Sequence, residues 1–437
     1  MNNYSEFVKD KLLSIIKEMK DSPETFVKNP GKDFTRNRKL SFEDIIKLML
    51  SMGGNSIYRE LLEHFKYDVN TATASAFIQQ RDKILPLALE HLFKTFTYSF
   101  DNYKTFKGYR LLAADGSKLN IAHDPNDSLT YIKCQSNARG FNVLHLNALF
   151  DLFNKVYIDA NIQPIRGLNE NKALTDMVDK STLFSDVIVI ADRGYESYNT
   201  FAHIQEKGWK YVIRVKDINS KGIVSSLRLP SCETFDTRID LKLTRRNTKE
   251  IKANPQIYKF MPINSRFDYL EQKSYDFYPI SFRVVRFKIS EDSFETIITN
   301  LDENEFSLDS IKELYHMRWG IETSFRELKY AIGLVNFHSK KVEFIEQEVF
   351  AKLTMYNFCE IITLNVVITY KQRKHKYQVN FTVAIHICIY FFRNLDDEKP
   401  PDVEALIKQN ILPVRDGRKD QRKLRSKSSV SFLYRVA

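Results

Sequence analysis

The central part of the chain contains short apolar runs that alternate with amphipathic helical patterns. The runs are apolar at nearly every position, which is typical of strands buried on both faces of a sheet. Helical patterns over residues 169–180 and 198–207 lie between the later runs. The predicted strands are Tyr109–Ala114, Phe141–Phe150, Val156–Ile162, Val187–Ala191 and Trp209–Val215. The alternation predicts an α/β fold with a mixed sheet covered on both faces.

Two of these predicted strands end in an aspartate. Asp115 follows the first strand and Asp192 follows the fourth, and each stands directly before a turn signal that contains glycine. Polar residues at the carboxyl ends of strands line the ligand crevice of open α/β sheets. The pattern therefore predicts two carboxylates at one edge of the sheet, although a single strand-end aspartate is commonly only a turn residue.

Residues 1–105 have helical periodicity throughout. Ser41 and Asp44 form a capping-box pattern at the start of a helix, and Gly53–Ser56 ends that helix. A later helix begins near Thr73. That last helix carries several amide and basic side chains near its start: Gln79, Gln80, Arg81 and Lys83. The segment is either a DNA-reading module or a plain helical bundle. Its net charge of only +2 favours the bundle.

Residues 218–310 show β-type alternation with many Tyr and Phe residues, which predicts a β-rich insertion. Helical periodicity then returns over Ser307–Ile332. On a helix with about 100° per residue, its main polar side chains lie within about 60° of one another. They are Tyr315, Arg318, Glu322 and Lys329. This face suits a ligand that needs both a carboxylate and cations, such as a phosphate with its metal ion, or it is an exposed face with i,i+4 charge pairs.

Two apolar stretches near the C-terminus, Val349–Ile368 and Val379–Phe392, are predicted to be buried helices and not membrane spans. The first contains Lys352 and Glu360, and the second is too short to cross a bilayer. The chain ends in a basic tail: Arg415, Arg418, Lys419, Arg422, Lys423, Arg425 and Lys427. The tail is expected to bind a nucleic-acid backbone, or else it is a solvated surface.

The formal charge of +11 favours a polyanionic partner, either nucleic acid or an anionic membrane surface. Beyond Glu322 there are twenty Lys and Arg residues against twelve Asp and Glu residues, so +8 of the charge lies there. The four cysteines are far apart, which indicates a reducing cytoplasm and argues against structural zinc. The N-terminal segment is charged and lacks the apolar core of a signal peptide. His145, on an apolar predicted strand, is interpreted as a core histidine.

Asp115, Asp192 and Glu322 together are the donor set of a hard oxygen site, which suits Mg²⁺ or Mn²⁺. Two such ions about 4 Å apart can activate a water and stabilise the leaving oxygen of a phosphodiester. The combination of three carboxylates with the Tyr315, Arg318 and Lys329 face is far more specific than any one of these residues.

On these residues the chain resembles the DDE transposases of bacterial insertion sequences, in the insertion-sequence-four class. The class is marked by Tyr-x2-Arg-x3-Glu-x6-Lys, and Tyr315, Arg318, Glu322 and Lys329 match all four positions. Its aspartates lie in strand–Asp-Gly-Ser and strand–Asp-Arg-Gly-Tyr contexts, as at 114–117 and 191–195 here. The segment 145–164 is also similar, and the resemblance runs from about residue 30 to the C-terminus.

The resemblance implies a ribonuclease-H-like catalytic core interrupted by a β-rich insertion, flanked by an N-terminal helical domain and a C-terminal helical, basic region. The expected boundaries are 1–105 for the domain that binds DNA ends, 106–217 and 311–370 for the core, 218–310 for the insertion and 371–437 for the C-terminal region. The separation of 130 residues from Asp192 to Glu322 suits such an insertion.

The resemblance also implies roles for individual residues. Asp115, Asp192 and Glu322 would be catalytic and would hold two Mg²⁺ or Mn²⁺ ions. Arg318 and Lys329 would grip phosphates near the cleaved end. Further DNA contacts are expected from Tyr315, Arg193, Tyr195 and Trp319. The partners would be double-stranded DNA, as terminal inverted repeats and target, and a second copy of the chain in a bacterial, nucleoid-associated complex.

One feature departs from the family. Studied members stack a flipped base on a tryptophan of the insertion, whereas the two tryptophans here, Trp209 and Trp319, lie outside 218–310. Tyr258, Phe260, Tyr269 or Tyr275 would have to supply that aromatic face. The expected activity is cut-and-paste transposition. The alternatives are a nuclease of the same fold that does not join DNA, and a DNA-binding protein derived from a transposase that no longer cuts.

Overall fold

The chain begins with helices, as its periodicity predicts. The computed structural model describes residues 3–133, 140–184, 186–291, 293–366, 377–394 and 400–413. The first helices are α1 (Asn3–Asp21), α2 (Phe42–Ser51), α3 (Ile57–His64), α4 (Ala74–Arg81) and α5 (Pro86–Thr97). The predicted capping box is confirmed, because the Ser41 side chain accepts the Asp44 N–H and the Asp44 carboxylate accepts the Ser41 N–H. The predicted break at 53–56 separates α2 from α3.

The sheet begins after these helices and contains every strand predicted for the centre of the chain. The elements are β1 (Arg110–Ile121), β2 (Tyr131–Ile132), β3 (Phe141–Asp151), β4 (Val156–Pro164), α6 (Glu170–Lys180), β5 (Val187–Ala191), α7 (Tyr198–Glu206) and β6 (Lys210–Val215). Their spatial order is β4-β3-β1-β5-β6, and β2 pairs with the start of β3. β3 is antiparallel to β1, while β5 and β6 are parallel to it and to each other.

The prediction that Asp115 ends its strand is wrong. β1 continues for six residues beyond Asp115, because Gly116 and Ser117 keep the antiparallel register with β3 through Asn147 and Leu146. The parallel pairing of β1 with β5, however, stops at Ala114 and Ala191. The residue after each of these alanines is an aspartate, so the two predicted carboxylates still emerge side by side.

The β-rich character predicted for residues 218–310 is confirmed, and its strands extend the same sheet. The elements are β7 (Phe235–Thr244), α8 (Lys249–Ala253), β8 (Tyr258–Phe260), β9 (Phe277–Ser290) and β10 (Ser293–Thr299). β10 pairs antiparallel with β6, and β9, β7 and β8 follow in that order. Residues 106–217 and 218–310 are therefore joined in one sheet through β6 and β10, which pair over residues 212–215 and 296–299.

The helical stretch after the sheet is divided at Arg318. The helices are α9 (Leu308–Met317), α10 (Trp319–Tyr330) and α11 (Val342–Leu364). One continuous helix was predicted over 307–332, but Arg318 interrupts the regular hydrogen bonding while keeping right-handed helical dihedrals. α11 is buried over most of its length and packs against the sheet and the N-terminal helices, which confirms the prediction for residues 349–364.

The last described elements are β11 (Tyr377–Val379), α12 (Phe381–Arg393), α13 (Val403–Gln409) and β12 (Ile411–Pro413). The two short strands pair with each other and were not predicted. Within the described ranges no helix is both long and apolar enough to span a bilayer. The basic tail at 415–427 lies outside the residues that the structure describes.

Arg81 lies on the helix for which a DNA-reading module and a plain bundle were both open, and it is a core residue, as the favoured bundle requires. It is 1% exposed and its Nη1 lies 2.8 Å from the Glu348 carboxylate on α11. Its Nε donates to the Gln347 side chain, and its Nη2 donates to the Phe344 carbonyl. α4 thus fastens the N-terminal helices to α11, as a bundle requires.

Candidate active site

Three carboxylates reach one place from three elements. Asp115 lies in β1, Asp192 follows β5 directly, and Glu322 lies in the first turn of α10. The Arg318 guanidinium interacts electrostatically with all three, and its Nη2 lies 3.1 Å from Oε1 of Glu322. The structure therefore brings the three predicted acids together around one arginine.

The carboxylate of Asp115 is half-buried and has a raised pKa. It accepts the N–H of Gly116 at 2.8 Å. Burial raises the pKa of Asp115 to about 6, and the nearby carboxylates of Glu322 and Glu170 add to that rise. The positive charge of Arg318 lowers the pKa of Asp115, but by less than burial raises it. A site with this balance of charge favours the approach of a cation.

Asp192 is held by its neighbours on both sides. Its Oδ1 accepts the Arg193 N–H at 2.6 Å and lies 2.9 Å from Nε of Arg214 on β6. Arg214 also contacts Glu295 on β10, at 3.4 Å. These bonds fix the position of the carboxylate and place a guanidinium directly against one of its oxygens.

The donor chemistry fits a divalent ion, because carboxylate oxygens are the ligands that Mg²⁺ and Mn²⁺ prefer. In the described part of the chain, no three His, Cys, Asp or Glu side chains converge closely enough to hold one ion. Arg318 and Arg214 occupy the neighbourhood of Glu322 and Asp192. An ion shared by the three acids therefore requires their side chains to rotate away from these arginines.

The other residues of the predicted polar helix face lie at different depths. Tyr315 is buried, its hydroxyl has no partner among the described residues, and burial raises its pKa to about 12. Arg318 is also buried, at 4% exposure. Lys329 is half-buried and its Nζ donates to the Lys118 carbonyl on β1 at 2.8 Å. Trp319 is 52% exposed and its ring lies 4.9 Å from the Arg318 guanidinium.

Arg193 and Tyr195, the two expected DNA contacts that follow Asp192, also differ in their exposure to solvent. Arg193 is exposed. Tyr195 is 3% exposed and packs in the core beneath the sheet, and burial raises its pKa well above the ordinary value for tyrosine. In this conformation the Tyr195 side chain packs under the turn that follows Asp192 and is not accessible to DNA.

Two residues beside the site were missed by sequence reasoning. Glu170, the first residue of α6, lies 3.2 Å from Nε2 of His145 on β3, and its charge acts on both Asp115 and Asp192. His145 was interpreted as a core histidine. It is buried, but it borders the site, and its Nδ1 has no partner in the described ranges. The sequence signs were a histidine on a mostly apolar strand and the family similarity of the segment 145–164.

Comparison with known proteins gives one family match. The family model for the transposase DDE domain matches residues 106–358, which contain all three acids. A solved structure described as the cryo-EM structure of the piggyBac transposase synaptic complex with hairpin DNA has a TM-score of 0.46 and 10% identity. That match covers 95% of this chain and 87% of that chain, and a similarity at this level does not establish a shared fold. A search of curated proteins finds no match. Because the family model covers more than half of the sequence, the chain belongs to the transposase DDE domain family.

Proposed function

We propose that this protein is a cut-and-paste transposase of the insertion-sequence-four class. It binds the terminal inverted repeats of its element, hydrolyses a phosphodiester at each end and joins the freed 3′-OH to target DNA. The observation that carries the proposal is the meeting of Asp115, Asp192 and Glu322 around Arg318. The Tyr315, Arg318, Glu322 and Lys329 spacing supports the class.

The strand order supports a ribonuclease-H-like core within this proposal. β3 and β4 are antiparallel neighbours on one side of β1, and β5 and β6 are parallel neighbours on the other. The acids come from the central strand β1, from the end of the adjacent β5 and from a helix that packs on β1. β7 to β10 would then be the insertion between the second aspartate and the glutamate.

In the proposed mechanism Asp115, Asp192 and Glu322 hold two Mg²⁺ or Mn²⁺ ions. When bound, such ions activate a water or a 3′-OH and stabilise the leaving oxygen of a phosphodiester. Arg318, released from Glu322, would neutralise the phosphate at the scissile bond, because its buried guanidinium lies among the three acids. Lys329 would keep α10 on β1 through Lys118 and turn toward a DNA phosphate when one is bound.

The exposed residues beside the acids are the proposed first DNA contacts. Trp319 offers an aromatic face directly next to Arg318, and base stacking on such a face contributes about 1–3 kcal/mol per base. Arg193 offers a cation directly next to Asp192. Both would position the DNA end over the acids without reading its sequence.

A second surface of the N-terminal region also suits DNA. We define the basic loop as residues 31–40, between α1 and α2. Together with Lys83 it borders two adjoining hollows of about 430 and 350 Å³. Five cations lie there and form no ion pair within the described ranges: Lys32, Arg36, Arg38, Lys39 and Lys83. The one acid of the loop, Asp33, is buried and accepts the Asn29 N–H at 2.9 Å. The small net charge of the region thus conceals a concentrated positive surface.

Transposition of two paired ends also implies a second copy of the chain, so we propose that a homodimer forms on DNA. Two alternatives use the same site. A nuclease would cut without joining, and a DNA-binding descendant would bind ends without cutting. The complete set of three acids favours a protein that still cuts.

The proposal is tested in cells with a marker flanked by the two ends of the element that encodes this chain. The wild-type protein should excise the marker and insert it at new sites, and Asp192→Asn should do neither. Broken donor DNA without new insertions would indicate the nuclease. Occupied ends without breaks, equal for both proteins, would indicate the non-cutting descendant.

A further inference from the structure

The Glu170 carboxylate lies beside two glycines, Gly116 and Gly194, in the segments that follow Asp115 and Asp192. A Cβ at Gly116 would lie 3.1 Å from Oε1 of Glu170, and a Cβ at Gly194 would lie 3.3 Å from Oε2. These glycines follow Asp115 by one residue and Asp192 by two. Each oxygen of the Glu170 carboxylate therefore faces one of the two aspartate segments, at a distance where a Cβ would be tight and the carboxylate would have to shift.

His145 contacts this carboxylate and fixes its orientation. Its Nε2 lies 3.2 Å from Oε1 of Glu170, and its ring lies where a Cβ on Gly116 would be, 2.2 Å from Cε1. The ring is 3% exposed and its Nδ1 has no partner in the part of the chain that the structure describes. A buried histidine with one free nitrogen and the other on a carboxylate is costly unless the pair has a use.

The start of α6 is also fastened to the Asp192 turn. The Asn171 side chain donates to the Gly194 carbonyl at 3.0 Å, and its oxygen accepts the Thr200 hydroxyl at 2.8 Å. The Asn169 side chain caps α6 through the Lys172 N–H. The residues on both sides of Glu170 are therefore held by hydrogen bonds, Asn171 to the turn after Asp192 and to Thr200, and Asn169 within α6. Such support is what a group acting in a site requires.

We propose that Glu170 is a fourth carboxylate of the active site, aimed by His145, that strengthens the binding of divalent ions at Asp115 and Asp192. The inference rests on the proposed function, since it concerns the same ions. It differs from a purely structural role, in which Glu170 only stabilises the N-terminus of α6 through the helix dipole. Metal affinity distinguishes the two roles, because loss of the Glu170 charge weakens ion binding only if Glu170 belongs to the site.

The test is the binding of Mn²⁺ to the full-length protein, followed by the electron paramagnetic resonance signal of free Mn²⁺. Glu170→Gln should weaken binding about tenfold, as loss of an outer partner of a metal site commonly does. His145→Gln should weaken it by less. Asp176→Asn is the matched control, because it removes one carboxylate from the same helix at a residue paired with Lys172, and it should bind as wild type does. Glu170→Asp keeps the charge but holds it on a shorter side chain, farther from the two aspartate segments. Its affinity for Mn²⁺ should lie between those of wild type and Glu170→Gln.

Asp192→Asn is measured beside these variants. If it loses Mn²⁺ binding while Glu170→Gln binds as wild type does, Glu170 is structural and this inference is wrong while the proposed function stands. If Asp192→Asn also binds as wild type does, the ions do not bind at the three acids, and both proposals fail. Melting temperatures of all variants show whether each is folded at the temperature of the titration.

Discussion

Nε of Arg214 lies 2.9 Å from Oδ1 of Asp192, so one of the three acids of the site is ion-paired across adjacent parallel strands. The pair is partly exposed, with about a third of each side chain open to solvent. A divalent ion that binds Asp192 must share its carboxylate with this guanidinium or displace it. If the site binds metal as proposed, its affinity would be set partly by an arginine that no motif marks.

Replacing this arginine by glutamine should tighten metal binding. In Arg214→Gln we expect Mn²⁺ affinity to rise roughly fivefold to tenfold, because a pair of unit charges about 4 Å apart in water-like surroundings interacts by about 1 kcal/mol. Arg238→Gln, which removes an exposed cation on β7, is the control and should leave affinity unchanged. Unchanged or weaker binding in Arg214→Gln would mean that the arginine positions Asp192 for the ion and does not compete with it.

Loss of the Arg81 side chain should destabilise the fold and leave DNA binding intact. Arg81→Ala leaves Glu348 buried without its cation, which commonly costs about 3–5 kcal/mol in the free energy of unfolding. Urea unfolding measures this cost, and Arg81→Met with Glu348→Gln should recover part of it. Affinity for the element's ends, measured below the unfolding transition, should equal that of wild type. A selective loss of end binding with normal stability would instead favour the alternative in which this helix reads DNA.

Arg81 also illustrates what the sequence could not reveal. Its context, a short helix with amides and a lysine, is that of a DNA-reading helix, but its partners Gln347 and Glu348 lie 266 and 267 residues away. Glu170 was missed for the same reason, because the residues that define its role come from β3, β1 and the turn after β5. Contacts of this kind depend on tertiary packing and leave no local pattern.

Features that depend on local chemistry were predicted well. Apolar runs identified the strands of the sheet, and the Ser41 and Asp44 pattern identified the start of α2. The position of Asp115 was misjudged because Gly-Ser is a turn signal in isolation. In the sheet, Gly116 is instead required in mid-strand, since His145 occupies the space of its Cβ. Nothing in the residues around Arg318 indicates that the helix is divided there.

The basic loop should contribute to binding of any DNA sequence. Replacing Lys32, Arg36 and Arg38 by glutamine should weaken binding to specific and unrelated duplexes alike. The slope of log Kd against log salt should become shallower by about 0.9 for each phosphate that the variant no longer neutralises. Lys172→Gln with Lys408→Gln removes cations that already have carboxylate partners, and should have little effect. An unchanged salt dependence in the triple variant would show that this surface does not touch DNA.

A buried acid in α11 should make stability depend on pH. Burial raises the pKa of Glu360 to about 8, whereas an unfolded chain releases this proton near pH 4.3. Between these values the native state holds a proton that the unfolded state has lost, so stability falls as pH rises and levels off above about 8. Relative to Glu360→Gln, wild type should lose on the order of 4 kcal/mol between pH 5 and pH 9 in urea unfolding. An equal difference between the two proteins at both pH values would contradict the raised pKa.

The most direct test of the central claim is cleavage of a labelled duplex that carries the element's end, with Mg²⁺ or Mn²⁺ added. Glu322→Gln keeps the shape of the side chain and removes the charge, and Glu313→Gln does the same at an exposed site on α9. The account predicts metal-dependent nicking at the end by wild type and Glu313→Gln, and none by Glu322→Gln, while all three bind the duplex. Equal nicking by Glu322→Gln and wild type would show that Glu322 is not part of the active site and would contradict the account.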